Sequence, residues 1–398
     1  MTGGERMFKI AFVVGEESGD LLGSRLMASL NRVLPGRITY CGLGGERMEE
    51  QGLKSLFDIS DIAVMGLTAV LARLPLIVKR VYQTVDAVIE ANPDVLVIID
   101  SPDFTHNVAK RVRKRAPHIP VIGYVSPSVW AWRPGRAKKM SVYVDELLAI
   151  LPFEPEVHRK LGGPRTHYVG HPLIERLEEL RSSAGERPAL TDGRKTLLLL
   201  PGSRGSEVDR LLKDFGQTLE VLDRSVPDLE ILLPAVPRME ARIRAETAGW
   251  AVQPEIVTGN AAKHAAFRRA HAALAASGTV SLELAISGVP MAICYRLDWF
   301  YRRLKDINRI FPFASVSSMV LPNIILGRNV VPEFLDDEVC PEKLVPVLES
   351  LLADTQVRQE QVSAFSELDT IMRLPDGRSQ SEAAAAVVMD VLTRGKAT

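Results

Sequence analysis

Two successive doubly wound α/β domains are what this sequence predicts, and three observations predict them. First, short apolar runs such as Val95-Leu-Val-Ile-Ile99 and Thr196-Leu-Leu-Leu-Leu200 recur along the chain. They read as buried strands of a parallel sheet. Second, such runs are followed by turns of glycines, serines or carboxylates and then by helical patterns, which is the alternation of βαβ units. Third, the series meets a polar, breaker-rich stretch at residues 182–195 and starts again after it.

Taken in order, Phe8-Lys-Ile-Ala-Phe-Val-Val14 is the first strand, Gly15-Glu-Glu-Ser-Gly-Asp20 its turn, and Leu21 to Leu34 a helix. Ile38 to Leu43 is the next strand, running into Gly44 and Gly45. In the segment from Ile62 to Arg80, the residues Val70, Leu71, Leu74, Ile77 and Val78 continue to Val81 as one stripe at helical spacing. Arg73, Lys79 and Arg80 lie off the stripe, and Pro75 is expected to break or kink the helix. Most such stripes are core. A basic-flanked apolar segment can also lie in an anionic membrane interface. The strand at 95–99 leads to Asp100-Ser-Pro-Asp103 and a helix near 104–116. Strands at Val121 to Val125, Glu146 to Leu151 and His167 to Gly170 complete the first series.

The second series opens with the strand Thr196–Leu200, the turn Pro201-Gly-Ser-Arg-Gly-Ser-Glu207 and a helix from Val208 to Arg224. Strands follow at 229–233, near 255–257, at 272–275 and at 291–295, and the last sixty residues are mostly helical. The expected domains are 1–180, 181–365 and a helical tail 366–398 that packs back on the first. Two α/β domains of similar size imply a cleft that suits two substrates.

Composition removes several function classes. Lys plus Arg equals Asp plus Glu at 49 each in 398 residues, so no global field draws the chain to nucleic acid. Cys41, Cys294 and Cys340 are far apart and odd in number, which fits neither a disulfide framework nor a zinc site and suggests a reducing compartment. No His/Cys/carboxylate cluster has metal-ligand spacing, so no metal is expected. The N-terminus does not read as a signal peptide, and no apolar stretch approaches the roughly 20 residues of a membrane span. These features place the chain in the cytosol and leave contact with a membrane surface open.

Four stretches carry chemistry. Asp100 and Asp103 stand just past the carboxyl end of a strand, where α/β sheets bind ligands. A carboxylate there can take a proton from a hydroxyl, or cap the helix that follows. In the turn at 201–207, glycines let backbone approach a ligand, and Arg204 could hold a phosphate with a forked pair of hydrogen bonds. The alternative is an ordinary turn with a solvated arginine. In Ala276-Ser-Gly-Thr-Val-Ser-Leu-Glu283, Ser277, Gly278 and Thr279 sit where amides and hydroxyls could bind a diphosphate. Glu283 lies one turn on, on the face of Thr279, where it could accept both hydroxyls of a ribose. Capping by Thr279 is the plainer reading. In Tyr124-Val-Ser-Pro-Ser-Val-Trp-Ala-Trp-Arg133, two tryptophans share one loop. They fill the core under a turn, or they form a platform beside Ser and Arg donors.

Together these blocks resemble the lipid-A-disaccharide synthase family. The match lies in Gly15–Asp20, Ala63-Val-Met-Gly66, Asp100–Phe104, Tyr124–Arg133, Leu151-Pro-Phe-Glu154, Val169-Gly-His-Pro172, Leu200–Arg204 with Glu207, Ala276–Thr279 with Glu283, and Leu321-Pro-Asn323. It runs from about Phe8 to the C-terminal helices. Glu17 and Gly44-Gly45-Glu-Arg-Met48 depart from the commoner family forms, as does Asp103-Phe-Thr-His-Asn107. The resemblance implies a GT-B fold with two Rossmann-like domains. It implies an inverting, metal-independent glycosyltransferase without a cofactor, which moves 2,3-diacylglucosamine from its UDP derivative to 2,3-diacylglucosamine 1-phosphate in lipid A biosynthesis.

Carried onto this chain, the resemblance makes Asp100 the base and Asp103 the second choice. It makes Ser203, Arg204, Glu207, Ser277, Gly278, Thr279 and Glu283 the nucleotide-sugar site. It puts Glu16, Ser18, Asp20, Ser126, Ser128, Trp132, Arg133 and Asn323 on the acceptor side. Val70, Leu71, Leu74, Ile77 and Val78 become the surface that docks on inner-membrane phospholipids from the cytoplasmic side. The protein is then a monomer or homodimer that binds no nucleic acid. Two rivals share parts of this pattern. Another GT-B enzyme, such as a UDP-sugar epimerase, would keep the nucleotide site without the apolar segment. A non-enzymatic binding protein would tolerate loss of Asp100.

Overall fold

The structure, a computed structural model, describes residues 6–62, 67–296 and 318–394. The Ala63–Gly66 block and the side chains of Val70 and Leu71 lie outside the described residues. The chain forms two compact units, one of Met1–Pro172 with Leu374–Thr398 and the other of Leu173–Arg373. The junctions therefore fall at 172/173 and 373/374, where the sequence reading drew them at 180/181 and 365/366.

The first unit is built on strands β1 (Phe8–Val14), β2 (Ile38–Leu43), β3 (Val95–Ile99), β4 (Val121–Tyr124), β5 (Glu146–Ala149) and β6 (Arg165–Tyr168). They form one sheet in the order β2-β1-β3-β4-β5-β6, and every pairing is parallel. Strand side chains alternate between faces, and the core divides accordingly. Ile10, Phe12, Val97 and Ile99 pack against Leu22, Leu26 and Leu30 of helix α1 (Glu17–Val33). Val13, Leu96 and Ile98 pack on the other face with Val81, Val85 and Val88 of the helix Leu67–Ala91 and with Phe104, Val108 and Val112 of the helix Pro102–Arg115. The C-terminal helix Gln380–Arg394 belongs to this unit. Its Ala384 and Val388 join the α1 face, and Ser381 pairs with Ser29 at 2.9 Å.

Pro75 does not end its helix, which runs unbroken from Leu67 to Ala91. Proline removes one backbone bond, but the sixteen residues after it are anchored by the buried valines at 81, 85 and 88. No helix among the described residues is long and apolar enough to cross a membrane.

The second unit repeats the plan. Strands β7 (Thr196–Leu200), β8 (Glu230–Ala235), β9 (Glu255–Thr258), β10 (Ala272–Ala276), β11 (Met291–Tyr295) and β12 (Glu333–Leu335) lie parallel in the order β12-β11-β10-β7-β8-β9. The strands Leu197–Leu200 and Ala272–Ala276 are buried on both faces, as their continuous apolar runs require. In each sheet the first strand is flanked by a strand on either side whose connections leave in opposite directions. That reversal opens a crevice at the carboxyl ends of β1 and β3 in one unit and of β7 and β10 in the other.

Candidate functional site

At the β1/β3 crevice, Asp100 follows β3 directly. Its Oδ1 accepts the Ser101 amide at 2.8 Å, and its Oδ2 accepts the Ser18 hydroxyl at 3.1 Å. Asp100 and Ser101 have φ of 52° and 41°, left-handed values that few non-glycine residues adopt. The surroundings hold them there. The Asp100 carbonyl accepts the Thr105 hydroxyl at 2.6 Å, and the Asp100 amide donates to the Tyr124 carbonyl at 3.1 Å. Gly15 lies so close that a Cβ on it would come within 2.2 Å of the Ser101 Cβ. Backbone strain of this kind persists where structure over-determines it and clusters at active sites.

Asp103 takes a different place. It sits in the first turn of a helix that already begins at Pro102, its side chain is 98% exposed, and it pairs loosely with Arg136 at 3.6 Å. The N-cap of that helix is Ser101, so Asp103 does not hold the capping position.

The acceptor-side candidates separate. Glu16 and Ser18 are exposed at the start of α1, which begins at Glu17 and not at Leu21. Asp20 is buried instead. Its carboxylate accepts the amides of Gly45 (2.8 Å), Arg47 (3.2 Å) and Met48 (3.2 Å), which fastens the turn after β2 to α1. Asn323 lies in the second unit, 2% exposed. Its amide bonds Val331 and Glu333 and its carbonyl accepts the amides of Val330 and Val331. Both side chains, which the resemblance puts on the acceptor side, are engaged in holding backbone.

The two rings of the tryptophan loop are placed differently. Trp130 packs edge-on to Phe153 with centroids 5.4 Å apart, under the turn. Trp132 is 49% exposed, with the Arg133 guanidinium over its ring at 5.6 Å. Ser128 is exposed beside it, whereas Ser126 is buried and meets His158 Nε2 at 2.8 Å.

Beneath this loop lies Glu154, whose Oε2 accepts the Leu151 amide at 3.0 Å. Burial pushes its carboxyl up to about 7, although that amide and the Trp130 and Ser126 side chains pull the other way. Burial pushes His158 down to about 4. The two groups act on stability with opposite signs. Glu154 favours the folded chain fully below the ordinary carboxylate range, and that contribution is lost as pH rises towards 7. His158 contributes fully above its ordinary 6.5, and its share is lost as pH falls to about 4. Glu154→Gln removes only the first. Its unfolding midpoint in urea, relative to the native chain, is expected to rise between pH 5 and pH 8. A difference that stays constant across that range would contradict the assignment.

The second crevice is a cavity of about 440 Å³. Ser203, Arg204, Glu207, Ser277, Gly278, Thr279 and Glu283 all line it, although they come from two loops some seventy residues apart. Glu207 shapes the first loop. Its Oε2 accepts the amides of Ser203 (2.9 Å) and Arg204 (3.2 Å), and its Oε1 meets Arg204 Nη1 at 2.9 Å. The helix therefore starts at Gly205, earlier than the Val208 that its apolar pattern indicates. Gly202 has φ of +119°, and a Cβ there would strike Glu207 at 2.5 Å, so the turn requires glycine. In the second loop Thr279 makes no cap bond, and it is Ser281 that bonds the Gly278 carbonyl, at 2.8 Å. Capping does not account for Thr279.

The sequence reading missed Lys263, which also lines the cavity, with its Nζ 2.7 Å from Glu283 Oε2. A signal was present. Gly259-Asn260 follows a strand and opens the helix Asn260–Arg269, the same strand, glycine and helix grammar as the other two loops.

Comparison with known proteins agrees with this geometry. The family model described as lipid-A-disaccharide synthetase matches residues 10–387. A lipid-A-disaccharide synthase of Nitrobacter winogradskyi is 49% identical over 393 residues, covering 98% of this chain and 97% of the relative. One from Bradyrhizobium diazoefficiens is 48% identical over 399 residues, covering 100% of each. Among solved structures, the S. aureus MnaA-UDP co-structure is similar with a TM-score of 0.61 at 11% identity, over 98% of this chain and 96% of that one, a likeness of fold alone. Two Rossmann-like units of six parallel strands are the GT-B architecture, and the chain belongs to the lipid-A-disaccharide synthase family.

Proposed function

We propose that the protein transfers 2,3-diacylglucosamine from UDP-2,3-diacylglucosamine to 2,3-diacylglucosamine 1-phosphate, giving the β-1,6-linked disaccharide 1-phosphate and UDP. Family membership over nearly the whole chain is the observation that carries this reading. In the proposed step Asp100 takes the proton of the acceptor 6-hydroxyl as its oxygen attacks the donor's anomeric carbon. The bond from that carbon to the diphosphate breaks, UDP leaves with the electron pair, and the configuration inverts. Asp100 suits the role because each of its oxygens accepts one hydrogen bond from a fixed donor, which aims the carboxylate. Arg204, the amides of the 201–207 turn and the Ser277–Thr279 loop would take the charge on the leaving diphosphate without a metal. Product formation in the presence of a chelator tests that part.

Acylated substrates bring the enzyme to a membrane surface. Leu74 and Val78 are 47% and 46% exposed and stand one turn apart, with Tyr82 another turn on at 49%. Ile77 is half-buried against the core, so it belongs to the fold more than to a docking face. Arg73 and Lys79 flank the exposed stripe. We therefore expect Leu74→Ser with Val78→Ser to weaken binding to anionic phospholipid vesicles by about tenfold, at roughly 1 kcal/mol or less per side chain. Thermal stability should change little, because both side chains already face water. Unfolding of the double variant, or unchanged vesicle binding, would contradict the docking role.

A further inference from the structure

Glu283 is a carboxylate placed where an anionic ligand is expected, and on its own that is an unfavourable arrangement. A nucleoside diphosphate entering the cavity would be repelled by an unneutralised carboxylate, and a solvated glutamate would sample several rotamers. Lys263 answers both difficulties. Its Nζ is the one hydrogen-bond partner of the Glu283 carboxylate among the described residues, at 2.7 Å, and it engages Oε2. The pair is mostly shielded, with 28% and 21% of the side chains exposed, so water screens it only partly. The lysine is itself oriented, since its ammonium lies 5.7 Å from the centre of the Phe267 ring.

Arg176 acts on Glu283 through space and is tied to Glu179, which also holds His264, the neighbour of Lys263. Lys263 and Arg176 thus set two cations against Glu283, and the carboxylate lone pairs not engaged by Lys263 can accept hydroxyls.

We infer that Lys263 is a positioning residue for Glu283, fixing its charge and rotamer so that the cavity selects a nucleoside diphosphate carrying both ribose hydroxyls. This rests on reading the cavity as the nucleotide site. It assigns the discrimination between ribose and deoxyribose to a pair of residues on different helices. A hydrogen-bonding site rejects an analogue lacking the hydroxyl because its own polar group is then left without a partner.

The test measures binding of UDP and 2′-deoxy-UDP to the full chain by calorimetry, for the native protein and for Lys263→Met, Lys263→Arg, Glu283→Gln and the Lys263→Met/Glu283→Gln double variant. The native protein should prefer UDP by about tenfold or more. In Lys263→Met, UDP affinity should fall about tenfold further than that of 2′-deoxy-UDP, which loses only what the freed Glu283 charge costs the diphosphate, so that the preference collapses. Lys263→Arg, which keeps the charge, should restore much of it. The double variant should be no weaker than Glu283→Gln, because the lysine acts through the glutamate. Equal loss of both ligands in Lys263→Met would mean that Lys263 acts on the diphosphate, directly or through the charge of Glu283, and not on the ribose hydroxyls, and no loss would make it a bystander. Either result overturns the inference while leaving the nucleotide site intact. Failure of the native protein to bind UDP would remove the site reading and the inference with it.

Discussion

Asp100→Ala is expected to lower the transfer rate by about a thousandfold while leaving UDP affinity within about twofold. The rate falls because the proposed base is removed, and the neighbouring aspartates are placed differently. Asp103 is almost fully exposed and faces Arg136, and Asp20 is occupied by three backbone amides. UDP affinity stays because every group proposed to hold the nucleotide belongs to the second unit. Ser18→Ala, which removes one of the two bonds that aim the carboxylate, should cost roughly tenfold in rate with little change in binding. Single-turnover transfer and equilibrium UDP binding separate the two effects. A fully active, folded Asp100→Ala would exclude Asp100 as the base.

Gly202→Ala is expected to weaken UDP and UDP-sugar binding by about tenfold or more, and Gly205→Ala to leave it nearly unchanged. At φ of +119° an alanine costs about 1–2 kcal/mol in backbone strain alone, and its Cβ would meet Glu207 at 2.5 Å. Relief requires Glu207 to move, which releases the amides of Ser203 and Arg204 and the Arg204 side chain together. The turn lies at the surface of the unit, so folding should survive. Gly205 is the first residue of its helix, and a Cβ there would meet only the end of the flexible Arg242 side chain, at 3.3 Å. Binding curves for the two variants, with far-ultraviolet dichroism to verify folding, check the contrast. Equal effects at the two glycines would show that the turn's shape is not what holds the diphosphate.

The architecture was legible because parallel strands buried on both faces must be continuously apolar, as Val95–Ile99, Thr196–Leu200 and Ala272–Ala276 are. Helix starts were less legible. Glu17, Pro102 and Gly205 begin helices several residues before the first apolar repeat, because the first turns are held by backbone and loop bonds that periodicity does not register. That the two loops at 201–207 and 276–283 line one cavity was legible, because local spacing fixes which groups a strand-to-helix turn presents. The Gly259-Asn260 turn had the same grammar, but the pairing of Lys263 with Glu283, twenty residues on, was not legible. Asp20 and Asn323 show the converse limit. A polar residue in a turn or at a helix start looks the same in sequence whether it holds ligand or backbone, and its partners decide.

The central claim is the transfer reaction, and the most direct measurement is to mix the purified protein with UDP-2,3-diacylglucosamine and 2,3-diacylglucosamine 1-phosphate and identify products by mass spectrometry. The account predicts a tetraacylated disaccharide 1-phosphate and one UDP per disaccharide, with product formation unaffected by chelator and lost in Asp100→Ala. A folded native protein that releases no disaccharide from this pair of substrates would contradict it.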